Sequence, residues 1–401
     1  MLYELMNKNN SVCYIELDSR GQIKELKKTT QPQLLPICVK TKNGISENRL
    51  RRWYALRMLP KERKSFSNLQ SNLRTEFMGE IIAKNHGFSL YDQYWIREQG
   101  QSIKWEDGNY YTNPYSNESA VCFSRNDFSK TIRNIHSPDY TTPEKETMVW
   151  QRSKEGKNQL FLFHDDDEYI KAERFLSCHA MDLFGLEHVS MTMGKQDDKP
   201  YLCMEQFTDE TIEYVPAYII LNTGERKEGV SSYEHFLKRC QIYKIPNYQN
   251  FLDTMLCFDY VFHVTDRSYY NFGFLRNMKT GTFMGPAPLF HNGYGLYNSI
   301  EMKNNRNRIT PIFNQSIDEN ISYIKRPEDL TIKFNELPNI SKTFDENGGY
   351  LNEERRHAIK EMLRRRISML PGLLIKNVEA RAKKFYVLDK EYKEKYILNK
   401  K

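Results

Sequence analysis

Apolar positions along the chain change their period several times, and each change marks an element. VCYIEL at 12–17 alternates apolar and polar, and DSRGQ after it is a turn signal, so residues 11–43 read as strands. ENRLRRWYALRMLP carries Leu50, Trp53, Leu56 and Leu59 at spacings of three, which predicts a helix that Pro60 stops. SNLQSNLRTEFMGEIIAKNHG reads as a second helix, closed by Gly87. Residues 88–120 are aromatic and irregular, and 124–147 is a polar stretch with two prolines, expected to be a linker merging into a mobile loop. MVWQRS and QLFLF flank the turn KEGKN as two strands, and DDDEYIKAERFLSCHAMDLFGL follows as a helix ended by Gly185. VSMTM and KPYLCMEQF form another strand pair. Beyond about residue 230 the period is helical, in YEHFLKRCQIYK, in YQNFLDTMLCFDYVFHV, and in a basic helix pair around Pro371 at 351–384.

The 401 residues are too many for one ordinary core, and 39% hydrophobic with 13% aromatic content supplies material for two or three. No stretch reaches the roughly 20 apolar residues of a membrane span. The N-terminal MLYELMNKNN lacks the basic and apolar regions of a signal peptide. Seven scattered cysteines without a CxxC pattern favour a reducing, cytoplasmic setting. The net charge of +7 permits an acidic partner such as nucleic acid without requiring one.

The stretch with chemistry in it is 264-VTDRSYYNFGFL-275, at the end of the long apolar helix. A kinase catalytic loop needs an Asp to accept the substrate hydroxyl's proton and, five residues on, an Asn whose amide oxygen binds Mg²⁺. Asp266 and Asn271 have that offset. A small β-rich lobe with one helix, followed by a helical lobe, is also the order of a kinase-like fold.

TDRSYYNFGFL followed by APLFHNGYGL resembles the signature of HipA-like serine/threonine kinases, in the branch found in Gram-positive bacteria. LRRWYALRMLPKER, FSLYDQYWI, KWEDGNYYTNPYS, SPDYTT, CMEQFTDETIEYVPA and LRRRI are similarly placed, so the resemblance covers roughly 45–370. It implies an α+β, two-lobed protein-kinase-like fold with an N-terminal α/β accessory module at 1–125. A linker and phosphate-loop-like segment at 126–147 would follow, then a small lobe at 148–225, a helical large lobe at 226–385 and a basic tail at 386–401. It implies ATP with Mg as cofactor, Asp266 as catalytic base and Asn271 as metal ligand. Glu205 and Phe207 match the adenine hinge, and Glu173 matches the helix acid that pairs with a strand lysine. SPDYTT at 137–142 falls where the family covers the phosphates, and where some members autophosphorylate a serine. The family's activity is ATP-dependent phosphorylation of a protein Ser/Thr, often as a toxin held by a small DNA-binding antitoxin.

Two positions depart from the pattern. His164 stands where the strand lysine belongs, and His291 where the metal-bridging Asp belongs. An imidazole, with an unperturbed pKa of about 6.5, supplies no permanent positive charge at pH 7 and is a poor ligand for Mg²⁺, which takes oxygens. The glycines that let a backbone approach phosphate are missing from TTPEKETM. The resulting expectation is a pseudokinase or weakly active enzyme. Open beside it are a changed nucleotide-binding role, a transition-metal site built on the imidazoles, and a one-residue register slip that puts Asp165 or Asn292 in the two roles. An active toxin-type kinase that tolerates both histidines is the first rival. A nucleic-acid-binding regulator using Arg355, Arg356, Lys360 and 364-RRR-366 is the second, against the plainer reading of a charged helix face. The acidic run 165-DDDE-168 reads as a solvated helix start, and 91-YDQYW-95 as packing rather than base stacking.

Overall fold

The computed structural model describes residues 1–42, 44–143, 145–163, 177–196, 199–290, 295–296, 309–330, 332–333, 335–337 and 351–396. The chain forms two compact units. The first comprises Met1–Lys171, Val189–Pro246 and Tyr269–Phe290, and the second Ala172–His188, Asn247–Ser268 and His291–Lys401.

In the first unit the alternating run at 12–17 has a strand on each side. β1 (Leu2–Asn7), β2 (Asn10–Leu17) and β3 (Ile23–Thr29) are followed by the short pair β4 (Lys40–Thr41) and β5 (Gly44–Ile45), and then by β6 (Tyr94–Glu98). The main antiparallel sheet has the order β3-β2-β1-β6. Against it pack α1 (Glu47–Ala55), α2 (Phe66–Leu73) and α3 (Met78–Lys84). α1 starts at Ser46, whose hydroxyl accepts from the Arg49 N–H. The apolar stretch 66–84 is two helices rather than the expected one, because Arg74 turns left-handed at φ +51° and caps α2. α3 approaches the β2–β3 turn so closely that a Cβ on Gly79 would lie 2.3 Å from the Arg20 carbonyl oxygen.

The second sheet follows α4 (Trp105–Gly108) and α5 (Glu118–Arg125). β7 (Met148–Arg152), β8 (Asn158–Phe163), β9 (Met191–Gln196) and β10 (Lys199–Glu205) are the four strands expected, in the order β7-β8-β10-β9. A third sheet was not legible from the pattern. It pairs β11 (Ile212–Pro216) with β12 (Gly273–Asn277), and β12 with β13 (Phe283–Pro286). α7 (Ala217–Leu221) and α8 (Ser232–Ile242) adjoin it, α8 opened by a capping box between Ser231 and Glu234; a helix at 177–181, α6, precedes them in the chain.

These sheets share one body. Arg63, 2% exposed, donates to the carbonyls of Met148 and Thr142, Gln93 donates to those of Asp209 and Ile212, and Thr208 donates to that of Leu90. Residues 137–142, expected to cover phosphates, are internal instead. Ser137 and Asp139 are fully buried, and the Asp139 carboxylate accepts from the Ser119 hydroxyl (2.8 Å), the Ser137 hydroxyl (3.1 Å) and the Trp150 N–H (2.8 Å).

The second unit is built on α9 (Tyr248–Phe262), which buries every residue from Phe251 to Phe262. α10 (Ile317–Asn320) and α11 (Glu353–Tyr396) belong to the same unit, and α11 packs on α9. The expected helix pair around Pro371 is a single helix that runs through the proline. Pro371 is exposed, and the helix continues through it although the proline nitrogen donates no hydrogen bond. All seven cysteines are buried thiols without disulfides. Among the described residues no helix is long and apolar enough to cross a membrane.

The burial of Ser137 is testable. Ser137→Asp puts a second carboxylate beside Asp139 where water is excluded, and it should lower stability by about 3 kcal/mol or more. Ser137→Ala should cost about 1 kcal/mol. Urea denaturation of both variants checks this; equal midpoints would show that the segment opens.

Candidate functional site

The loop that carries Asp266 begins where α9 ends. His263 takes a left-handed conformation at φ +53°, and the N–H groups of His263 and Val264 close on the carbonyls of Tyr260 (3.3 Å) and Asp259 (2.9 Å). Arg267 then turns back. Its Nε and Nη2 donate to the two carboxylate oxygens of Asp259 at 2.8 and 2.7 Å, and both side chains are 1% exposed. A bidentate pair of this kind is held by geometry as well as charge. The Ile312 N–H donates to the Arg267 carbonyl (3.0 Å), and the Leu296 N–H to the Phe262 carbonyl (2.7 Å). Asp266, half-buried, sits within this pinned loop. Farther back on α9 the buried Asp253 accepts from the N–H groups of Lys325 (2.9 Å) and Arg326 (2.7 Å).

Asn271, 7% exposed, belongs to the first unit, just before β12. The chain around it is fixed by bonds from the Tyr218 N–H to the Tyr269 carbonyl (2.7 Å) and from the Ala217 N–H to the Phe272 carbonyl (2.9 Å).

Glu205 and Phe207 lie where β10 leaves its sheet. Glu205 is exposed, 3.6 Å from the Lys157 ammonium. The Phe207 ring packs on Phe290 (centroids 5.4 Å apart) and Tyr214 (5.6 Å), and Tyr214 also packs on Phe290 (5.6 Å). Phe207 and Phe290, with Tyr91, Trp150, Leu160, Val189, Met204 and Glu205, line a slot of about 10 Å³. That is room for roughly one water, so a purine enters only if Phe207 or Phe290 moves.

His164, Glu173 and His291, with Asp165 and Asn292, lie outside the described residues. Among the described residues no group of three His, Cys, Asp or Glu side chains is placed to hold a metal ion. Asp266 belongs to the second unit and Asn271 to the first.

The basic run on α11 is partly internal. Arg366 donates to the Tyr260 carbonyl (2.8 Å) and to Asp318, with its guanidinium 4.7 Å above the Tyr260 ring, and Arg355 is 6% exposed. Arg364 and Arg365 are exposed, and Arg364 pairs with Glu361.

Sequence reasoning did not find the Asp259–Arg267 pair, though an acid in a largely apolar helix eight residues before an arginine was a signal. It also missed Glu213 on β11. Burial pushes this carboxyl up to about 7, against the opposing pull of Arg276 at 2.8 Å, and Asp92 adds to the rise.

No family model and no curated protein sequence matches the chain. Solved structures do. HipA of Shewanella oneidensis MR-1, from a toxin–antitoxin complex with HipB and operator DNA, matches at 12% identity over 94% of this chain and 99% of that one, with a TM-score of 0.56. The Helicobacter pylori proinflammatory kinase CtkA matches at 17% identity over 58% of this chain and 95% of that one, with a TM-score of 0.46. The likeness to HipA is one of fold: the chain has an α+β, two-lobed kinase-like fold.

Two measurements probe this arrangement. Asp259→Ala leaves Arg267 buried without its partner and should cost about 3–5 kcal/mol of stability. Asp259→Leu combined with Arg267→Met should recover most of that loss in a urea melt; no recovery would mean the pair is not the cause. Glu213 has a pH signature. Its carboxyl holds a proton in the folded state that the unfolded chain releases from about 4.5 upward. Stability therefore falls as pH rises from about 4.5 to about 7. Glu213→Gln should flatten the stability profile across that window, and an unchanged slope would assign the titration to another group.

Proposed function

We propose that this chain is a HipA-like protein kinase homologue with a degenerate active site, a pseudokinase or weakly active phosphotransferase that acts by binding a nucleotide, a protein partner, or both. The observation that carries the reading is the 263–268 loop, which contains Asp266 and is anchored at the end of a largely apolar helix by the buried bidentate Asp259–Arg267 ion pair. Its support is the shared fold and the apolar slot beside Phe207, whose aromatic walls suit a purine once opened. Weak chemistry follows from the residue types at 164 and 291. Each imidazole removes a charge or a hard ligand from an electrostatic site, at a cost of several kcal/mol of transition-state stabilisation.

ATP is the nucleotide we propose, and Asn271 the residue that would contribute an oxygen to any accompanying cation. A small DNA-binding protein is the partner class, by analogy with the HipB and operator DNA in the HipA structure. The nucleic-acid-binding alternative through α11 has less support, because Arg355 and Arg366 are engaged inside the unit.

Thermal-shift titration and label transfer from γ-labelled ATP test the reading together. ATP should raise the melting temperature as binding dictates, with transfer near background. His164→Lys with His291→Asp should raise transfer by about two orders of magnitude or more, and Asp266→Ala should abolish it in the repaired chain. Robust transfer by the natural chain, lost on Asp266→Ala, would replace this proposal with an active Ser/Thr kinase.

A further inference from the structure

Besides the purine slot, the first unit contains two cavities that meet at one wall. The larger has a volume of about 580 Å³ and the smaller about 320 Å³, and Trp53, Leu56, Tyr218 and Ile219 line both. Both volumes lie within the range of small-molecule sites, roughly 300–1,000 Å³.

Their charges differ. The larger cavity balances Arg20, Arg57 and Lys61 against Glu76, Asp92 and Glu213. The smaller recess is lined by Arg49, Arg52 and Arg226 and by no carboxylate. None of these three guanidiniums has a carboxylate partner among the described residues. Arg49 donates to the backbone carbonyls of Cys38 (3.4 Å) and Gly224 (2.7 Å), and Arg226 to the Ser232 hydroxyl (2.9 Å). Arg52, exposed on α1, has no side-chain hydrogen bond or ion pair among the described residues. His235 and Ser232, in the first turn of α8, complete the polar lining. Burial and then the Arg239 charge push the His235 pKa down, so the ring is a neutral hydrogen-bonding group at pH 7.

Three like charges gathered on one concavity repel one another unless an anion joins them. The planar guanidinium fork matches phosphate oxygens in geometry as well as charge. Arg49 is fixed in place by its two carbonyl acceptors, while Arg52 and Arg226 are exposed and able to turn inward. The shared wall is rigid: the Trp53 ring packs edge-on to Tyr94 at 5.1 Å, and Tyr218 stacks on Tyr270 at 4.3 Å.

We propose that the recess binds the phosphate of an organic phosphate monoester, with the apolar or aromatic body of that ligand lying against Trp53, Leu56, Tyr218 and Ile219 in the larger cavity. The dianion, rather than a carboxylate, matches three uncompensated cations. The recess shares no lining residue with the slot beside Phe207, and the larger cavity shares only Tyr91 with it, so the phosphate subsite is independent of the kinase-like reading.

Isothermal titration of the full chain with phenyl phosphate, inorganic phosphate and benzyl alcohol tests it. Phenyl phosphate should bind about tenfold or more tightly than inorganic phosphate, and benzyl alcohol should give no measurable heat. Arg52→Ala with Arg226→Ala should weaken phenyl phosphate by about tenfold or more. Both arginines are exposed, so the melting temperature should not change. Tyr218→Ala should weaken phenyl phosphate and leave inorganic phosphate unaffected. Phe207→Ala should leave phenyl phosphate binding intact. Undiminished affinity in the double arginine variant would overturn the site, as would loss of binding in Phe207→Ala, which would put the ligand in the purine slot. Equal affinity for phenyl phosphate and inorganic phosphate would overturn the role of the shared wall.

Discussion

The organisation of the second unit turns on one carboxylate in an apolar helix. Asp259 lies in the buried run of α9, where an unpaired charge costs several kcal/mol, and Arg267 in the loop beyond the helix relieves it. The chain must therefore reverse at His263 and return within five residues. That reversal gives the loop one shape, and Asp266 inherits it. Ile312 and Leu296 then bond to the carbonyls of Arg267 and Phe262. Asp253 does for 325–326 what Asp259 does for the loop. Two buried acids thus tie two loops to a largely apolar helix.

Much of this was legible in the sequence where a single period persists. The long helix α9 and the four strands β7–β10 follow from runs of apolar residues bounded by turn signals. The elements that were missed share a physical cause. β1, β6 and the β11–β13 sheet are short, and their strand character comes from partners distant in sequence, such as Glu98 opposite Tyr3 and Asn277 opposite Ile212. SPDYTT looks like a polar loop, yet Asp139 finds three donors that allow it to be internal. The stretch 66–84 looked continuous because nothing in local composition marks Arg74 as left-handed. Pro371 looked like a break because proline removes a helical hydrogen bond, yet the helix runs on through it.

Asp266 and Asn271 were singled out by their five-residue offset together with their place after a long apolar helix and the family resemblance of the surrounding motifs. It could not single out Tyr214, Phe290 or Glu213, whose places depend on a sheet that the local pattern does not reveal. The arginines of α11 illustrate the converse. A basic run invites a surface reading, but the Tyr260 carbonyl and ring draw Arg366 inside.

The N-terminal part of the first unit is sewn to the segments that follow it by side chains reaching into each other's backbone, Arg63 to Met148, Gln93 to Ile212 and Thr208 to Leu90. A gene that lost its first 125 codons would not encode a leaner kinase-like protein, because these acceptors would be bared along with the core that Tyr140, Val149 and Phe163 share with β1 and β2. Evolution can rewrite individual catalytic letters in such a chain far more readily than it can cut the chain at a seam. Change of single side chains and persistence of the first unit's architecture are therefore compatible outcomes of its interlocked backbone.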